Sequence, residues 1–370
     1  AWAGSAIYTY NPSTSDTTTI KNCVFSGNSA GGNDGTVHGT SSNLKIVNTL
    51  ISDNSGGGLF FQGQNNVNII NSTIINNVND MGVMLQGGTN TIINSIISGN
   101  ESTQLRILNS CNLTVEYSDI DGGQDSVLVE GNAVLNWGSG NIDVDPRFVD
   151  TDNDDYQLAD WSPCIGVGLN TGIVPDLDIE GNIRPNPAGS NPDMGAYENP
   201  LSLPVEHIVI TPDILLVTED SLATVDFREN DLILNVTTVV LSIIDSSSHG
   251  TVAVAGDTML TYTPMADFFG YDTIEYALNG STANDTGFIF ITILNEDDLP
   301  VVVNAIPDVT VNEDDPDSLL ADLDVVFMDI DDALEYSHVV GDTALVFASV
   351  SNDTVTLHFL PDANGSTNII

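Results

Sequence analysis

The sequence predicts an all-β protein, with a stack of short β-coils in its first half and β-sandwich modules in its second. Two columns of asparagine repeat over the first hundred residues with a period near 23, and isoleucines repeat in phase with them. A fixed period of this size is typical of solenoids. Beyond residue 205, short alternating strands are separated by turn signals, which is typical of β-sandwiches.

The asparagine columns predict the register of the coils. Members of the first column are 26, 23 and 23 residues apart, and the second column follows six residues later. Because equivalent residues of stacked coils lie about 4.8 Å apart, their amides can hydrogen-bond from coil to coil. Asparagine also tolerates the left-handed backbone of a tight corner. The first column is Asn22, Asn48, Asn71 and Asn94, and the second is Asn28, Asn54, Asn77 and Asn100.

Apolar residues in the same phase predict the core of the solenoid. They point inward, and stacking buries them together where one coil could not. The single 26-residue spacing predicts a longer loop from Ser29 to Thr36. Such an insertion often marks a binding side, although an ordinary surface loop is the alternative. The column two positions before the first asparagines is Ile20, Ile46, Ile69, Ile92 and Val115.

Residues 141–198 lose the period and gain Pro, Asp and Trp, as expected of a terminal segment that covers an open core. They resemble the closing region of bacterial right-handed parallel β-helix proteins of the choice-of-anchor type, a pectate-lyase-like fold. With the coils, the resemblance covers about residues 1–200 and implies a right-handed parallel β-helix in a surface-exposed setting. Because residue 1 is not Met and precedes a strand-like segment, we expect truncation at the N-terminus. The matching segments are Asp145-Pro146-Arg147-Phe148, Ser162-Pro163-Cys164-Ile165-Gly166, Gly181-Asn182-Ile183-Arg184-Pro185 and Asp193-Met194-Gly195-Ala196-Tyr197-Glu198.

Residues 205–298 and 299–370 form two further predicted modules. They resemble the cadherin-like or Ig-like tandem repeats of large bacterial adhesins, and the second module lacks its last strands. The resemblance implies β-sandwiches arranged as a stalk. In the first module it is carried by Glu219-Asp220, Glu229-Asn230-Asp231, His249-Gly250-Thr251-Val252, Leu260-Thr261-Tyr262-Thr263-Pro264 and Phe268-Phe269-Gly270-Tyr271-Asp272. In the second it is carried by Val309-Thr310-Val311-Asn312-Glu313-Asp314, Asp329-Ile330-Asp331-Asp332 and Pro361-Asp362-Ala363-Asn364-Gly365.

Composition restricts the partners. The chain has six Lys and Arg residues and 52 Asp and Glu residues, which gives a net charge of −46. The charge is −2 over residues 1–100, −15 over 101–200 and −29 over 201–370. Such a chain repels nucleic acid and bare anionic membrane. No apolar run is long enough for a membrane span. The three cysteines cannot all pair, and we expect buried free thiols.

Catalysis is the first chemistry to test, because parallel β-helices are the usual scaffold of pectate lyases and polygalacturonases. Acids and bases of residues 1–100 occupy unrelated phases and form no cluster. Asp119 and Asp121 form an i, i+2 pair that a strand would direct to one side, and Arg106 would lie one coil away. These three residues are the weak catalytic candidates, with a solvated turn as the alternative.

Calcium is the other candidate chemistry, because oxygen-rich clusters suit a hard cation with six to eight ligands. The cadherin-like resemblance implies calcium that stiffens the joint between modules, and the candidate ligands there are Glu296, Asp297, Asp298, Glu313, Asp329 and Asp331. A second candidate is the acidic loop with Asp150, Asp152 and Asp154, although an ordinary corner loop explains it too.

The sequence therefore predicts a non-catalytic protein of the extracellular space or bacterial cell surface, resembling an adhesin. Its β-helix would present a flat, amide-rich face to a polysaccharide or another surface ligand, on a calcium-stiffened stalk. Two alternatives remain open: a divergent lyase or glycoside hydrolase acting on acidic polysaccharide, and a structural spacer without a ligand.

Overall fold

The computed structural model describes residues 5–10, 16–29, 35–63, 66–256, 258–312 and 315–370. Its elements are almost all β-strands. The chain divides into two compact units, the first containing residues up to His207 with Ile233–Thr237, and the second containing Ile208–Leu232 with Thr238–Ile370. The all-β class is confirmed.

The first unit contains a β-solenoid made of three parallel sheets. Each coil contributes at most one strand to each sheet, and the strands are numbered in chain order. Sheet 1 contains β1 (Ile7–Tyr10), β4 (Val37–Thr40), β7 (Leu59–Gln62), β10 (Val83–Gln86), β13 (Leu105–Leu108) and β16 (Leu128–Glu130). Sheet 2 contains β2 (Thr17–Lys21), β5 (Asn43–Val47), β8 (Val67–Ile70), β11 (Thr89–Ile93), β14 (Asn112–Glu116) and β17 (Val134–Trp137). Sheet 3 contains β3 (Val24–Ser26), β6 (Leu50–Ser52), β9 (Thr73–Ile75), β12 (Ile96–Ser98) and β15 (Asp119–Ile120).

The core of the solenoid follows the predicted phase. Ile20 pairs with Ile46, Ile46 with Ile69, and Ile69 with Ile92 in parallel register. All of these side chains are buried in one continuous cluster. The packing includes a close fit on sheet 1, where the ring of Phe61 occupies the space beside Gly39 and a Cβ there would lie 2.0 Å from the ring.

The corner between sheets 2 and 3 explains the first asparagine column. Asn22, Asn48, Asn71 and Asn94 have φ values of 52°, 46°, 44° and 50°, the left-handed region that asparagine tolerates better than most residues. Tyr117 adopts the same conformation, with φ of 48°, at the position where the asparagines end. The backbone turn therefore continues one coil further than the amide column.

Residues 141–199, called here the closing segment, lie along the outer side of sheet 3 rather than only over an end of the solenoid. Tyr156 packs against Leu50 and Ile75, while Cys164 and Met194 pack against Ile96. The segment has one antiparallel pair, β18 (Phe148–Asp150) and β19 (Asp155–Leu158). This lateral course differs from the terminal cover expected from the sequence, because the segment is long enough to follow several coils.

A buried ionic cluster fixes the closing segment internally. Arg184 Nε lies 2.9 Å from Glu198 Oε2, and both side chains are fully inaccessible. The Asp178 carboxylate accepts hydrogen bonds from the backbone N–H groups of Asn182 and Glu198, at 2.8 and 3.0 Å. Buried charges persist when they are paired and hydrogen-bonded in this way.

The second unit begins with a two-sheet β-sandwich. Its four-stranded sheet has the order β21 (Asp213–Thr218), β28 (Asn284–Leu294), β27 (Gly270–Asn279) and β24 (Val240–Asp245). The three-stranded sheet has the order β22 (Ala223–Asp226), β26 (Met259–Pro264) and β25 (Gly250–Ala255). Tyr262, Tyr276 and Ile289 are fully buried between them. Two further short strands are β20 (His207–Val209) and β23 (Leu232–Leu234).

The remainder of the second unit has fewer elements. It contains β29 (Val301–Val302), β30 (Ser318–Asp322), the one-turn helix α1 (Leu323–Val326), β31 (Phe327–Met328), β32 (Val346–Ser351) and β33 (Thr354–Phe359). The strands β30, β33 and β32 form an antiparallel sheet. Its small core contains Leu323, Val346, Val355 and Leu357.

Candidate functional site

The second asparagine column forms a buried ladder. Asn28, Asn54 and Asn77 each donate from Nδ2 to Oδ1 of the asparagine one coil on, at 2.9, 2.8 and 2.9 Å. Asn100 ends the ladder by donating to Gln104 Oε1 at 2.7 Å. Asn54, Asn77 and Asn100 are at most 4 % exposed. These amides therefore stabilise the coils and are not available to a ligand.

Three members of the first asparagine column, Asn48, Asn71 and Asn94, are also buried, but they face the closing segment. Asn71 Nδ2 donates to Asp193 O at 3.1 Å, and Asn94 Nδ2 donates to Leu169 O at 3.0 Å. Asn48 donates in the same way to Leu177 O. From Asn48 onward, the first column therefore binds the chain's own closing segment and is not part of an accessible amide-rich face.

A column of serine hydroxyls was not predicted from the sequence. Ser72, Ser95 and Ser118 each follow a corner residue. Each hydroxyl accepts a hydrogen bond from a backbone N–H of the preceding coil. Each also donates to the backbone carbonyl two residues earlier in the chain. They are fully buried. Their regular spacing, one residue after the first asparagines, was the signal that could have predicted them.

In the structure, each of the three catalytic candidates interacts with a different partner. Asp119 is completely buried, and its Oδ1 accepts the Val144 N–H at 3.2 Å. Asp121 is exposed and accepts the Gly99 N–H at 3.1 Å. Arg106 forms an ion pair with Glu130 at 2.8 Å. Asp119 lies in β15 and is buried, whereas Asp121 follows the strand and is exposed, so the expected i, i+2 pair does not share one accessible side.

Burial gives Asp119 an unusual titration. It raises the pKa of the carboxyl to about 7, against the lowering effect of the Val144 and Cys164 hydrogen bonds. The Cys164 thiol, which is fully buried, lies 3.6 Å from Asp119 Oδ2. A buried carboxyl between two protein donors has no approach for a substrate, so this geometry is structural. Cys23, Cys111 and Cys164 are all free thiols, as expected, but only Cys111 and Cys164 are buried.

The acidic loop at residues 150–154 forms a local turn. Asp150 accepts a hydrogen bond from Asn153 Nδ2 at 2.7 Å, and Asp154 has a left-handed backbone with φ of 61°. Asp150, Asp152 and Asp154 are exposed. No group of three converging carboxylates involves this loop within the described ranges.

One group of three carboxylates does converge, in the second unit. Oxygens of Asp220, Asp267 and Asp298 all lie within 4.8 Å of one another, the only such group in the part of the chain that the structure describes. Asp220 follows β21, Asp267 follows β26, and Asp298 lies after β28. Two ligands at about 2.4 Å from one calcium ion are at most about 4.8 Å apart, so this spacing fits a shared cation.

The surroundings of this acidic cluster also fit a cation. Glu219, 1 % exposed, accepts the Glu296 N–H through Oε1 at 2.7 Å, while its buried Oε2 has no hydrogen-bond partner among the described residues. Burial, followed by the charges of Asp267 and Asp331, raises the pKa of Asp298. A buried oxygen without a donor, beside converging carboxylates, matches the ligand preference of a hard cation.

The predicted calcium ligands are distributed around this cluster. Asp298 is a member, and its N–H donates to Asp331 Oδ2 at 3.2 Å. Asp329 Oδ1 accepts the N–H groups of Asp331 and Asp332, and so orders that loop. Asp297 is outside the group of three, and Glu296 contributes its backbone N–H. Glu313 lies outside the described residues.

Glu219, Asp220 and Asp267 were not among the candidate ligands predicted from the sequence. They lie far from Asp298 along the chain, and only the pairing of β21 with β28 and the turn after β26 bring them near it. The adjacent acids Glu219-Asp220, directly after a strand, were the available signal.

Comparisons with known proteins agree with both parts of the fold. Residues 5–145 match the family model described as right handed beta helix region, and residues 204–292 match the model described as bacterial Ig domain. The chain therefore combines a right-handed β-helix region with a bacterial Ig domain. No curated protein sequence matches the chain.

Two solved structures share limited similarity with the chain. An endo-fucoidan hydrolase from glycoside hydrolase family 107 is 13% identical, with 51% of this chain and 30% of that chain covered and a TM-score of 0.24. The extracellular cadherin domains 1–4 of protocadherin gamma B7 are 14% identical to this chain. The match covers 42% of this chain and 41% of that chain, with a TM-score of 0.29. The chain thus spans less than half of either structure, and TM-scores this low carry no functional argument. Within the described residues, no helix has the length and apolarity to cross a membrane.

Proposed function

We propose that this combination of a β-helix region and a bacterial Ig domain serves as an extracellular or cell-surface protein of the adhesin type. Calcium stiffens its sandwich modules, and its β-helix binds a polysaccharide. Bacterial Ig domains and the strongly acidic composition are compatible with that setting. The proposal makes no use of a catalytic site, since Asp119, Asp121 and Arg106 are each engaged elsewhere.

The proposal of calcium binding is supported by the convergence of the Asp220, Asp267 and Asp298 carboxylates. Arg228 is the only basic residue between positions 201 and 370, apart from histidines, against 30 acids. Mutual repulsion of three carboxylates is therefore best relieved by a cation from solution. The cluster joins the end of β21, the turn after β26 and the segment after β28, so an ion there would restrain all three.

The test is a melting curve of the full chain in calcium and in chelator. Free calcium at 100 times its Kd stabilises the binding state by about 2.7 kcal/mol. For a unit of this size, that corresponds to an increase in Tm of about 5 to 10 °C in the transition of the second unit. An unchanged transition would refute calcium binding.

Matched variants locate the ion. The double variant Asp220→Asn/Asp267→Asn should lose the calcium-dependent increase and melt higher than the wild type in chelator, because repulsion is relieved. The control Asp245→Asn/Asp308→Asn makes the same charge change at exposed positions outside the cluster and should keep the increase. Equal behaviour of the two double variants would place calcium elsewhere.

Turnover assays separate the proposal from its alternatives. Release of unsaturated or reducing sugar from pectin or alginate would indicate an enzyme, and Asp121→Asn should then abolish it. Binding of a polysaccharide without turnover supports the adhesin-type function. If neither binding nor turnover occurs, the chain is a spacer.

A further inference from the structure

One row on the outer face of sheet 2 remains accessible, although the next row of that face is buried at Val47, Ile70 and Ile93. Alternate residues of its strands point away from the core, and one outward row crosses the sheet from coil to coil. This row carries amides, hydroxyls and one amine: Thr19, Lys45, Asn68, Thr91, Thr114 and Asn136. None of its members is buried, and we call it the sheet 2 row.

Hydrogen bonds between coils orient the polar groups of this face. Thr91 Oγ1 donates to Asn68 Oδ1 at 2.6 Å within the row. Beside the row, Asn66 Nδ2 donates to Asn43 Oδ1 at 3.1 Å. A flat sheet with oriented amides and hydroxyls is pre-organised, so that little conformational entropy is lost when a ligand with many hydroxyls binds.

The charges of this face are opposite in sign to those of the chain. Lys21 and Lys45 are the only lysines, and both lie on sheet 2. Lys21 pairs with Val47 in register, which places it diagonally beside Lys45 on the same face, with Cα atoms about 8 Å apart. Two amines of like charge at this distance suit a ligand with closely spaced anionic groups.

Neither lysine has an acidic partner among the described residues. Arg106, Arg147 and Arg184 all form ion pairs, and Arg228 lies in the field of Asp231. Among the described residues, the two lysines are thus the Lys and Arg side chains best placed to bind an external anion.

Acids of the same sheet do not cancel this charge. Glu116 lies four strands from Lys21 in the register, a distance of about 19 Å, beyond the Debye length at physiological salt. Asp16 lies at the opposite end of β2 from Lys21. Residues 1–100 carry a net charge of only −2, so most of the chain's negative charge lies elsewhere in the sequence.

We propose that the sheet 2 row and Lys21 bind an acidic polysaccharide. The lysine ammonium groups pair with its carboxylates or sulfates, and the Asn and Thr side chains hydrogen-bond to its hydroxyls. This inference rests on the proposed polysaccharide-binding function and names its surface and ligand class. Exposed ion pairs are individually weak, so binding depends on repeated contacts along the polymer and weakens with salt.

The experiment compares polygalacturonate with its fully methyl-esterified form, which has the same backbone without the charge. The full chain is titrated with each polymer in chelator, so that calcium cannot bridge carboxylates. Wild type should bind the acid form at least threefold more tightly than the ester, with a preference that falls as salt rises. A sulfated galactan replaces the acid in a second arm and distinguishes sulfate from carboxylate as the better partner.

Variants test the surface itself. Lys45→Gln should weaken binding of the acid form about threefold and leave the ester unchanged, whereas Lys45→Arg should retain it. Arg147→Gln is the matched control, because it removes the same charge in the closing segment. Equal losses in Lys45→Gln and Arg147→Gln would overturn the assignment of the surface.

The remaining outcomes separate this inference from the proposed function. If the acid and ester forms of the polymer bind with equal affinity, the preference for an anionic ligand is refuted, but polysaccharide binding is not. Binding of neither polymer, nor of the sulfated galactan, overturns both. Tighter binding to anionic vesicles or duplex DNA than to any polymer would assign the lysines to another class of partner and overturn the inference.

Discussion

Replacing Asn77 by Ala is expected to destabilise the β-helix strongly, because this residue is central in the buried ladder. Its Oδ1 accepts both the backbone N–H and Nδ2–H of Asn54, at 3.2 and 2.8 Å. Its own Nδ2 donates to Ile51 O and to Asn100 Oδ1, at 3.0 and 2.9 Å. A buried polar group left without a partner costs about 1–3 kcal/mol, and a cavity adds to this. We expect a loss of about 3 to 4 kcal/mol in the free energy of unfolding.

The assay is thermal and urea unfolding of the full chain, followed through the transition of the first unit. A loss of this size lowers Tm by about 6 to 16 °C for a unit near 200 residues. Asn66→Ala is the matched control, since Asn66 is exposed and water can replace its hydrogen bonds to Asn43 and Thr89. Its cost should stay below about 1 kcal/mol. Equal costs at the two sites would refute the conclusion that the ladder stabilises the coils.

Two further variants test individual packing features. Asp119→Asn should flatten the pH dependence of the free energy of unfolding. The folded-state pKa of Asp119, about 7, is above the ordinary value for a carboxyl, so this group favours folding only when it is protonated. Its contribution to stability is therefore lost as the pH rises from about 4 to about 7. The measurement is the free energy of unfolding from pH 4 to 8, with Asp121→Asn as the exposed control. Parallel pH curves for wild type and Asp119→Asn would contradict the role of Asp119. Gly39→Ala should cost about 1–3 kcal/mol by overpacking against the Phe61 ring. Adding Phe61→Leu should cost less than the sum of the single variants in denaturant unfolding, whereas strict additivity would contradict the contact.

The fold was largely predictable because its signal is periodic. A column of isoleucines at one phase can only be buried together if the coils stack, and the pairing of Ile46 with Ile69 and Ile92 follows from that spacing. The closing segment has no period. Its course along sheet 3 depends on contacts such as that of Asn94 with Leu169, 75 residues apart, which no local pattern encodes.

The candidate sites were less predictable for a similar reason. Asp298 could be proposed from a cluster of neighbouring acids, but Asp220 and Asp267 reach it through strand pairing and a turn. The accessible row on sheet 2 was less evident in the sequence than the more regular asparagine columns, which are buried from Asn48 onward. Regular spacing identified residues that hold the coils together, whereas a ligand requires residues that the coils leave accessible.

The closing segment also limits how the length of this protein can evolve. Its hydrogen bonds reach Asn48, Asn71 and Asn94, so it is matched to three successive coils. Duplication or deletion of one of these coils would displace each later contact by one coil spacing, about 4.8 Å. Coils added before Asn48 would leave every one of these contacts in place. Related proteins are therefore expected to vary in coil number on the N-terminal side and to conserve the number of coils that the closing segment spans.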